Sequence, residues 1–143
     1  PALAVMAGRR SDGQVRVQTR RALTGDIVGN FFLGVKWRAL EMQTLPDLNG
    51  HGVDEVATLL RRTTDDVVVF QIRDAATGAL LNTVFFRPAP WEQQAHFEVV
   101  PDFTGNGEPE LAVPMRNADS LARSVQIRDG ATGKVIRNIQ LPK

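Results

Sequence analysis

The sequence predicts an all-β chain of short antiparallel strands gathered into repeated four-stranded units, and three observations lead there. A segment occurs three times, as VQTRRALTG (17–25), FQIRDAATG (70–78) and VQIRDGATG (125–133), its closing glycines Gly25, Gly78 and Gly133 spaced by 78−25 = 53 and 133−78 = 55 residues. A glycine-rich acidic loop occurs twice, as DLNGHGVDE (47–55) and DFTGNGEPE (102–110), with first aspartates 102−47 = 55 residues apart. Between these landmarks apolar and polar residues alternate with the period of half-buried strands, and no helical periodicity of useful length appears. Self-similarity at a fixed period means stacked copies of one supersecondary unit. Four-stranded units at this period match the blades of a β-propeller. A β-sandwich would not repeat its sequence at the level of a single sheet, and a β-helix has much shorter coils. The chain reads as about two and three-quarter blades, a fragment of a larger or oligomer-completed propeller.

The elements follow in order. Residues 1–36 form a partial blade with strands at 2–7 (ALAVMA), 14–20 (QVRVQTR) and 26–33 (DIVGNFFL), without the opening strand and acidic loop. Residues 37–90 form a full blade: LEMQTLP (40–46), the acidic loop, EVATLL (55–60), VVVFQIRD (67–74) and ALLNTVFF (79–86), rich in β-branched and aromatic residues. Residues 91–143 repeat it with HFEVVP (96–101), the second acidic loop, ELAVPM (110–115), SVQIRD (124–129) and KVIRNIQL (134–141). The stretch WEQQAHFE (91–98) is too short for a helix. Asp74-Ala75-Ala76-Thr77-Gly78 and Asp129-Gly130-Ala131-Thr132-Gly133 are tight-turn sequences, in which Asp accepts backbone N–H bonds and Gly supplies a positive φ. In the first copy Arg21 replaces the Asp, which predicts a less well tied hairpin.

Composition narrows the function. A formal net charge of +1 gives no mandate for nucleic acid, and no apolar run approaches the ~20 residues of a membrane span. Arginine far outnumbers lysine, which suits carboxylate recognition and interfaces. With no cysteine there is no disulfide, no Cys-ligated zinc and no thiol nucleophile. His51 and His96 are the only histidines and fall at different phases of the repeat. There is no G-x-S-x-G, no H-E-x-x-H and no phosphate-binding glycine loop opening a helix. The expectation is a protein that is not an enzyme.

The acidic loops carry the strongest chemical signal. Hard cations such as calcium need six to eight oxygens, which a loop gathers from alternate side chains, one carbonyl and a terminal carboxylate. Alternate positions of the first loop hold Asp47, Asn49, His51, Val53 and Glu55, and those of the second hold Asp102, Thr104, Asn106, Glu108 and Glu110. Metal-free Asx and glycine turns are the competing reading.

The pattern D-x-N-G-x-G-x-x-[DE] before an apolar strand resembles the FG-GAP/VCBS repeats of bacterial exported proteins and of the integrin α-subunit propeller. The likeness spans nearly the whole chain. It implies a calcium loop between the first and second strands of a blade, with side-chain ligands at loop positions one, three, five and nine and a carbonyl at position seven. Those are Asp47, Asn49, His51 and Glu55 with the Val53 carbonyl, and Asp102, Thr104, Asn106 and Glu110 with the Glu108 carbonyl. The chain departs from the family at position five, usually an acid, where it has His51 and Asn106, and it lacks the literal FG and GAP strings.

A second surface is a candidate for ligand binding. Trp37 and Trp91 precede the acidic loops in the links between blades. The neighbouring second-to-third strand turns carry Arg9-Arg10, Arg61-Arg62 and Arg116. Arginine beside tryptophan suits an anionic glycan or an acidic protein patch; packing of each Trp between blades is the competing reading. Three functions follow as expectations: a calcium-binding propeller scaffold for a protein or other ligand, a lectin-like propeller, or an accessory propeller of a polysaccharide-degrading enzyme. The resemblance implies an extracellular, cell-surface or periplasmic setting. Further blades, from the same longer chain or from homo-oligomer partners, are expected to cover the end strands.

Overall fold

The computed structural model describes residues 2–8, 11–86, 91–93 and 96–142. They form twelve strands in three antiparallel sheets, with no helix among the described residues. The first sheet has the order β1 (Ala2–Gly8), β2 (Val15–Arg21), β3 (Ile27–Phe32). The second has the order β4 (Trp37–Leu45), β5 (Glu55–Arg62), β6 (Val68–Asp74), β7 (Leu80–Phe85). In the third, β12 (Val135–Leu141), β11 (Arg123–Asp129) and β10 (Glu110–Asn117) lie side by side, and both β8 (Trp91–Gln93) and β9 (Glu98–Val100) pair with β10. Together β8 and β9 occupy the place that β4 holds in the second sheet.

Two strands differ from the sequence reading by more than two residues at a boundary. The strand expected at 40–46 begins at Trp37, and a β-bulge between Ala39 and Glu41 shifts its register. Trp37, Ala39 and Met42 therefore share one face while Leu40 packs on the other, which breaks the period-2 pattern. The strand expected at 96–101 is in two pieces, the first starting at Trp91. Trp37 and Trp91 thus lie inside strands, paired with Arg62 and Asn117, rather than in the links between blades.

The second sheet is covered on both faces. Leu60 and Val69 meet Val15, Val17, Phe31 and Leu33 of the first sheet. On the other face Phe70 is the hub, edge-on to Phe86 at 5.3 Å and to Phe97 at 4.6 Å, with Leu111, Val113 and Met115 beyond. Two-sided burial explains why six successive residues from Glu55 are buried where a half-buried strand would alternate. Each fully buried aromatic or aliphatic side chain here contributes about 1.5–3 kcal/mol.

Polar contacts fix the stacking. Thr19 donates to the Ala75 carbonyl at 2.6 Å, and Asn82 donates to the Ala131 carbonyl at 2.7 Å. The Glu41 carboxylate accepts from the Phe97 amide at 2.7 Å, and Gln43 donates to the Phe97 carbonyl at 2.5 Å, which aims Phe97 at Phe70. Gly78 is required twice over: its φ is +75°, and a Cβ would stand 2.4 Å from Phe31 Cγ of the first sheet.

Candidate metal centre

The site is assembled from an acidic loop and the hairpin turn beside it. In the second sheet Asp74 ends β6 and ties the turn, its Oδ1 accepting from the amides of Ala76 at 2.8 Å and Thr77 at 2.7 Å. Asp129 does the same in the third sheet, accepting from the Thr132 amide at 2.6 Å and hydroxyl at 2.8 Å. At Arg21 the backbone bond from Gly25 survives at 2.9 Å while Thr24 turns to Asp26, so the first hairpin keeps its shape without the carboxylate cap.

A second recurring device was not read from the sequence. Arg20, Arg73 and Arg128 each donate through Nη1 to the carbonyl of the turn glycine, at 2.7, 2.7 and 2.8 Å. Each is held by the Gln two residues before it, Gln18, Gln71 or Gln126. The recurrence of Q-x-R five residues ahead of each turn glycine was the available signal.

The loops wrap around their first aspartate. Asp47 Oδ1 accepts from the Gly50 amide at 2.7 Å and Oδ2 from the Gly52 amide at 2.6 Å; both glycines have positive φ. Asp102 repeats this with Gly105 and Gly107, each at 2.7 Å. The Gly52 amide is the main reason the Asp47 carboxyl lies below its ordinary range, as the Gly107 amide is for Asp102. Both groups are therefore ionised and held in place.

Position five also reaches beyond its loop to the turn. The His51 ring pairs through Nε2 with Asp74 Oδ2, and the Asn106 amide nitrogen donates to Asp129 Oδ2. Asp74 is almost fully buried, which works to raise its pKa, yet the Thr77 and Ala76 amides and the His51 ring bring it down to about 2. His51 is raised, chiefly by its bond to Asp74. His51 and Asn106 are thus both hydrogen-bond donors facing a buried carboxylate.

Position nine separates the two loops. Glu55 and Glu110 are both completely buried. Glu110 is satisfied, by the Thr104 hydroxyl at 3.1 Å and the Phe103 amide at 3.2 Å. Glu55 accepts from the Leu48 amide at 2.6 Å through Oε2, while Oε1 has no protein partner. Burial pushes the Glu55 carboxyl up, and Asp47 and Asp74 add to the shift. Asp47, His51 and Glu55 each bring one donor atom within 4.8 Å of the others, the one such trio among the described residues. A buried carboxylate oxygen without a partner beside a second carboxylate fits a bound cation.

The remaining candidates are placed as follows. At position three Asn49 accepts from the His51 amide at 3.3 Å, and the single Thr104 hydroxyl proton has two carboxylate acceptors in reach, Glu110 at 3.1 Å and Asp102 at 3.3 Å. At position seven the Val53 amide reaches His51 Nδ1 at 3.3 Å and the Glu108 amide reaches Asn106 Oδ1 at 2.9 Å. The Glu108 carboxyl is raised by burial and then by Asp129, Asp102 and Asp47, so the two loops feel each other there. Trp37 and Trp91 are half-buried against the two cores. Arg62 is bound by Asp65 at 2.5 and 2.7 Å, and Arg61 is half-buried. Arg9 and Arg10 lie outside the described residues.

No protein-family model matches the chain, and no curated protein matches it. A solved structure titled "Structure of Dos1 propeller" is similar to it, with a TM-score of 0.54 at 16% identity. The match covers 98% of this chain and 34% of that one, so the chain spans about a third of its structural neighbour. The identity is low enough that the likeness speaks to fold alone. The chain has the fold of a partial β-propeller, three stacked antiparallel blades of an all-β architecture.

Proposed function

We propose that this chain is a non-catalytic, calcium-binding β-propeller segment that serves as a binding scaffold for a protein or other ligand in an exported or cell-surface protein. The observation that carries the reading is the convergence of Asp47, His51 and the buried Glu55 carboxylate, one oxygen of which has no protein partner, on a loop whose architecture returns at 102–110. Asp47 and Glu55 would hold the cation in the first loop, and Asp102, Thr104 and Glu110 in the second. The Val53 and Glu108 carbonyls take position seven by resemblance. A bound cation supplies fixed positive charge that offsets the buried carboxylates and ties β4 to β5 and β9 to β10. The resemblance to FG-GAP/VCBS repeats supports the exported setting.

Further blades fit the outer face of the third sheet. Val125, Ile127, Ile139 and Leu141 stand one repeat of 55 residues beyond Phe70, Ile72, Val84 and Phe86, which are buried between the second and third sheets, yet Ile139 and Leu141 are each 41% exposed. A blade of this chain's longer form, or of a second copy, would complete that face. The lectin-like reading is the weaker one, because Trp37, Trp91 and Arg62 are engaged in packing and pairing. Calorimetric titration with calcium tests the proposal: saturable heat that falls by about half in Asp102→Ala supports it, and absence of calcium heat in the unsubstituted chain contradicts it.

A further inference from the structure

The two loops differ in the kind of atom they offer a cation. In the second loop the donors that remain at loop positions one, three and nine are oxygens, since Asn106 spends its amide nitrogen on Asp129 and its Oδ1 on the Glu108 amide. The first loop adds an imidazole. His51 Nε2 faces Asp74 Oδ2, an acceptor, so Nε2 carries the proton. The Val53 amide reaches Nδ1 at 3.3 Å, which marks Nδ1 as the lone-pair nitrogen. Nδ1 lies 3.5 Å from Asp47 Oδ1, with the Glu55 carboxylate alongside.

We propose that the 47–55 loop is a mixed nitrogen–oxygen site for a borderline divalent transition cation, of which zinc is the representative, with His51 Nδ1, Asp47 and Glu55 as ligands and Asp74 as the carboxylate that orients the ring. This rests on the reading that the loop holds a divalent cation, and it changes the cation's class. Two ligands of a tetrahedral zinc, each bonded at ~2.1 Å, stand about 3.4 Å apart. The Nδ1–Asp47 separation of 3.5 Å fits that spacing and is too long for a good hydrogen bond. Metal-ligating imidazoles characteristically donate their other N–H to a carboxylate, which fixes tautomer and orientation. Asp74 is 4% exposed and tied by two turn amides, so it holds the ring rigidly. Imidazole suits zinc, copper, iron and nickel, whereas calcium takes oxygens. A ligand with a lone pair, held between Asp47 and Asp74 and near the buried Glu55 carboxylate, is what a borderline cation requires.

The test is isothermal titration of the metal-stripped chain with Zn²⁺ and with Ca²⁺ separately, joined to long-range ¹H–¹⁵N spectra of the two histidines. The expected result is zinc binding at this loop at least tenfold tighter than calcium, with the Nδ1 resonance of His51 moving and the Nε2 proton retained. His51→Asn recreates the Asn106–Asp129 pairing of the other loop, so it preserves the fold. It should weaken zinc by roughly tenfold or more while calcium affinity stays within about twofold. Asp74→Asn should weaken zinc by roughly 10–100-fold. His96→Asn controls for binding between Glu41 and Glu98 and should change nothing. Calcium binding as tight as zinc, zinc affinity indifferent to His51→Asn, or zinc lost only in His96→Asn overturns this inference and leaves the cation reading standing. No binding of either metal at this loop overturns both.

Discussion

The loop-and-turn end of the second sheet and that of the third are built alike and satisfied differently. Each has an aspartate wrapped by two glycine amides, a buried glutamate that begins the next strand, and a turn aspartate reached from position five. In the third sheet Thr104 completes Glu110, and both carboxylate oxygens have protein partners. In the second sheet Asn49 does not reach Glu55, and Oε1 is left alone. The difference teaches that position five belongs to the turn as much as to the loop. An acid there would face Asp74 or Asp129, and this chain places donors instead.

The largest effect that sharpens the comparison is at the turn glycines. Gly78→Ala forces a side chain into φ +75° and into the Phe31 ring, with Cβ 2.4 Å from Cγ and 2.5 Å from Cβ. Strain of roughly 1–2 kcal/mol from the left-handed backbone, and 1–3 from overpacking, predicts a loss of about 3 kcal/mol in urea unfolding. Gly133→Ala meets a single Val84 methyl at 2.7 Å, its other contacts being 3.4 Å or more, and should cost about 2 kcal/mol. Equal or reversed losses would break the account of how the blades stack.

The arginine staples rank next. Arg73→Ala removes the bond to the Gly78 carbonyl and should cost about 1 kcal/mol. Arg128→Ala also removes a guanidinium 4.8 Å above the Phe86 ring, so its loss should be about 2 kcal/mol. Denaturation midpoints of the two variants check the order.

A smaller effect separates the two ends by pH, measured in chelator. Asp74 is lowered from 3.8 to about 2 and Asp129 is lowered as well, so each contributes stability that is full above 3.8 and is lost as pH falls, for Asp74 toward about 2 and for Asp129 through its own lowered value. His51 is raised above 6.5, so its contribution is full below 6.5 and is lost as pH rises through the raised value. Asn106 has no proton to lose, so of the two position-five residues only His51 adds to the alkaline limb. His51→Asn should flatten that limb and leave the acid limb. Of the remainder, the part due to His96, raised by Glu98 and Glu41, should vanish when His96→Asn is added, while the part due to the raised Glu55 and Glu108 carboxyls stays.

Much of this was legible in the sequence. Period-2 alternation and the spacing of Gly25, Gly78 and Gly133 located the strands, and the loop glycines located the metal candidates. The start of β4 was not legible, because the bulge at Ala39 resets which face each residue takes. The partner of His51 was hidden by distance: Asp74 lies 23 residues away and is brought near by strand pairing. Glu55 read as one more loop acid, and its burial with one oxygen unmatched depends on the Leu48 amide and on the sheets packed around it. The role of Gln71 and Arg73 was visible as a repeat without a meaning, since only the folded hairpin shows which carbonyl the guanidinium meets.

The central claim is that the acidic loops hold a divalent cation that stabilises the blades. Thermal melting of the unsubstituted chain in calcium and in chelator tests it most directly. At a hundredfold excess over the dissociation constant each occupied site contributes ~2.7 kcal/mol, so the melting temperature should rise in calcium and the rise should shrink in Asp102→Ala. Superimposable melts in the two buffers would contradict the claim and leave both loops as hydrogen-bonded turns.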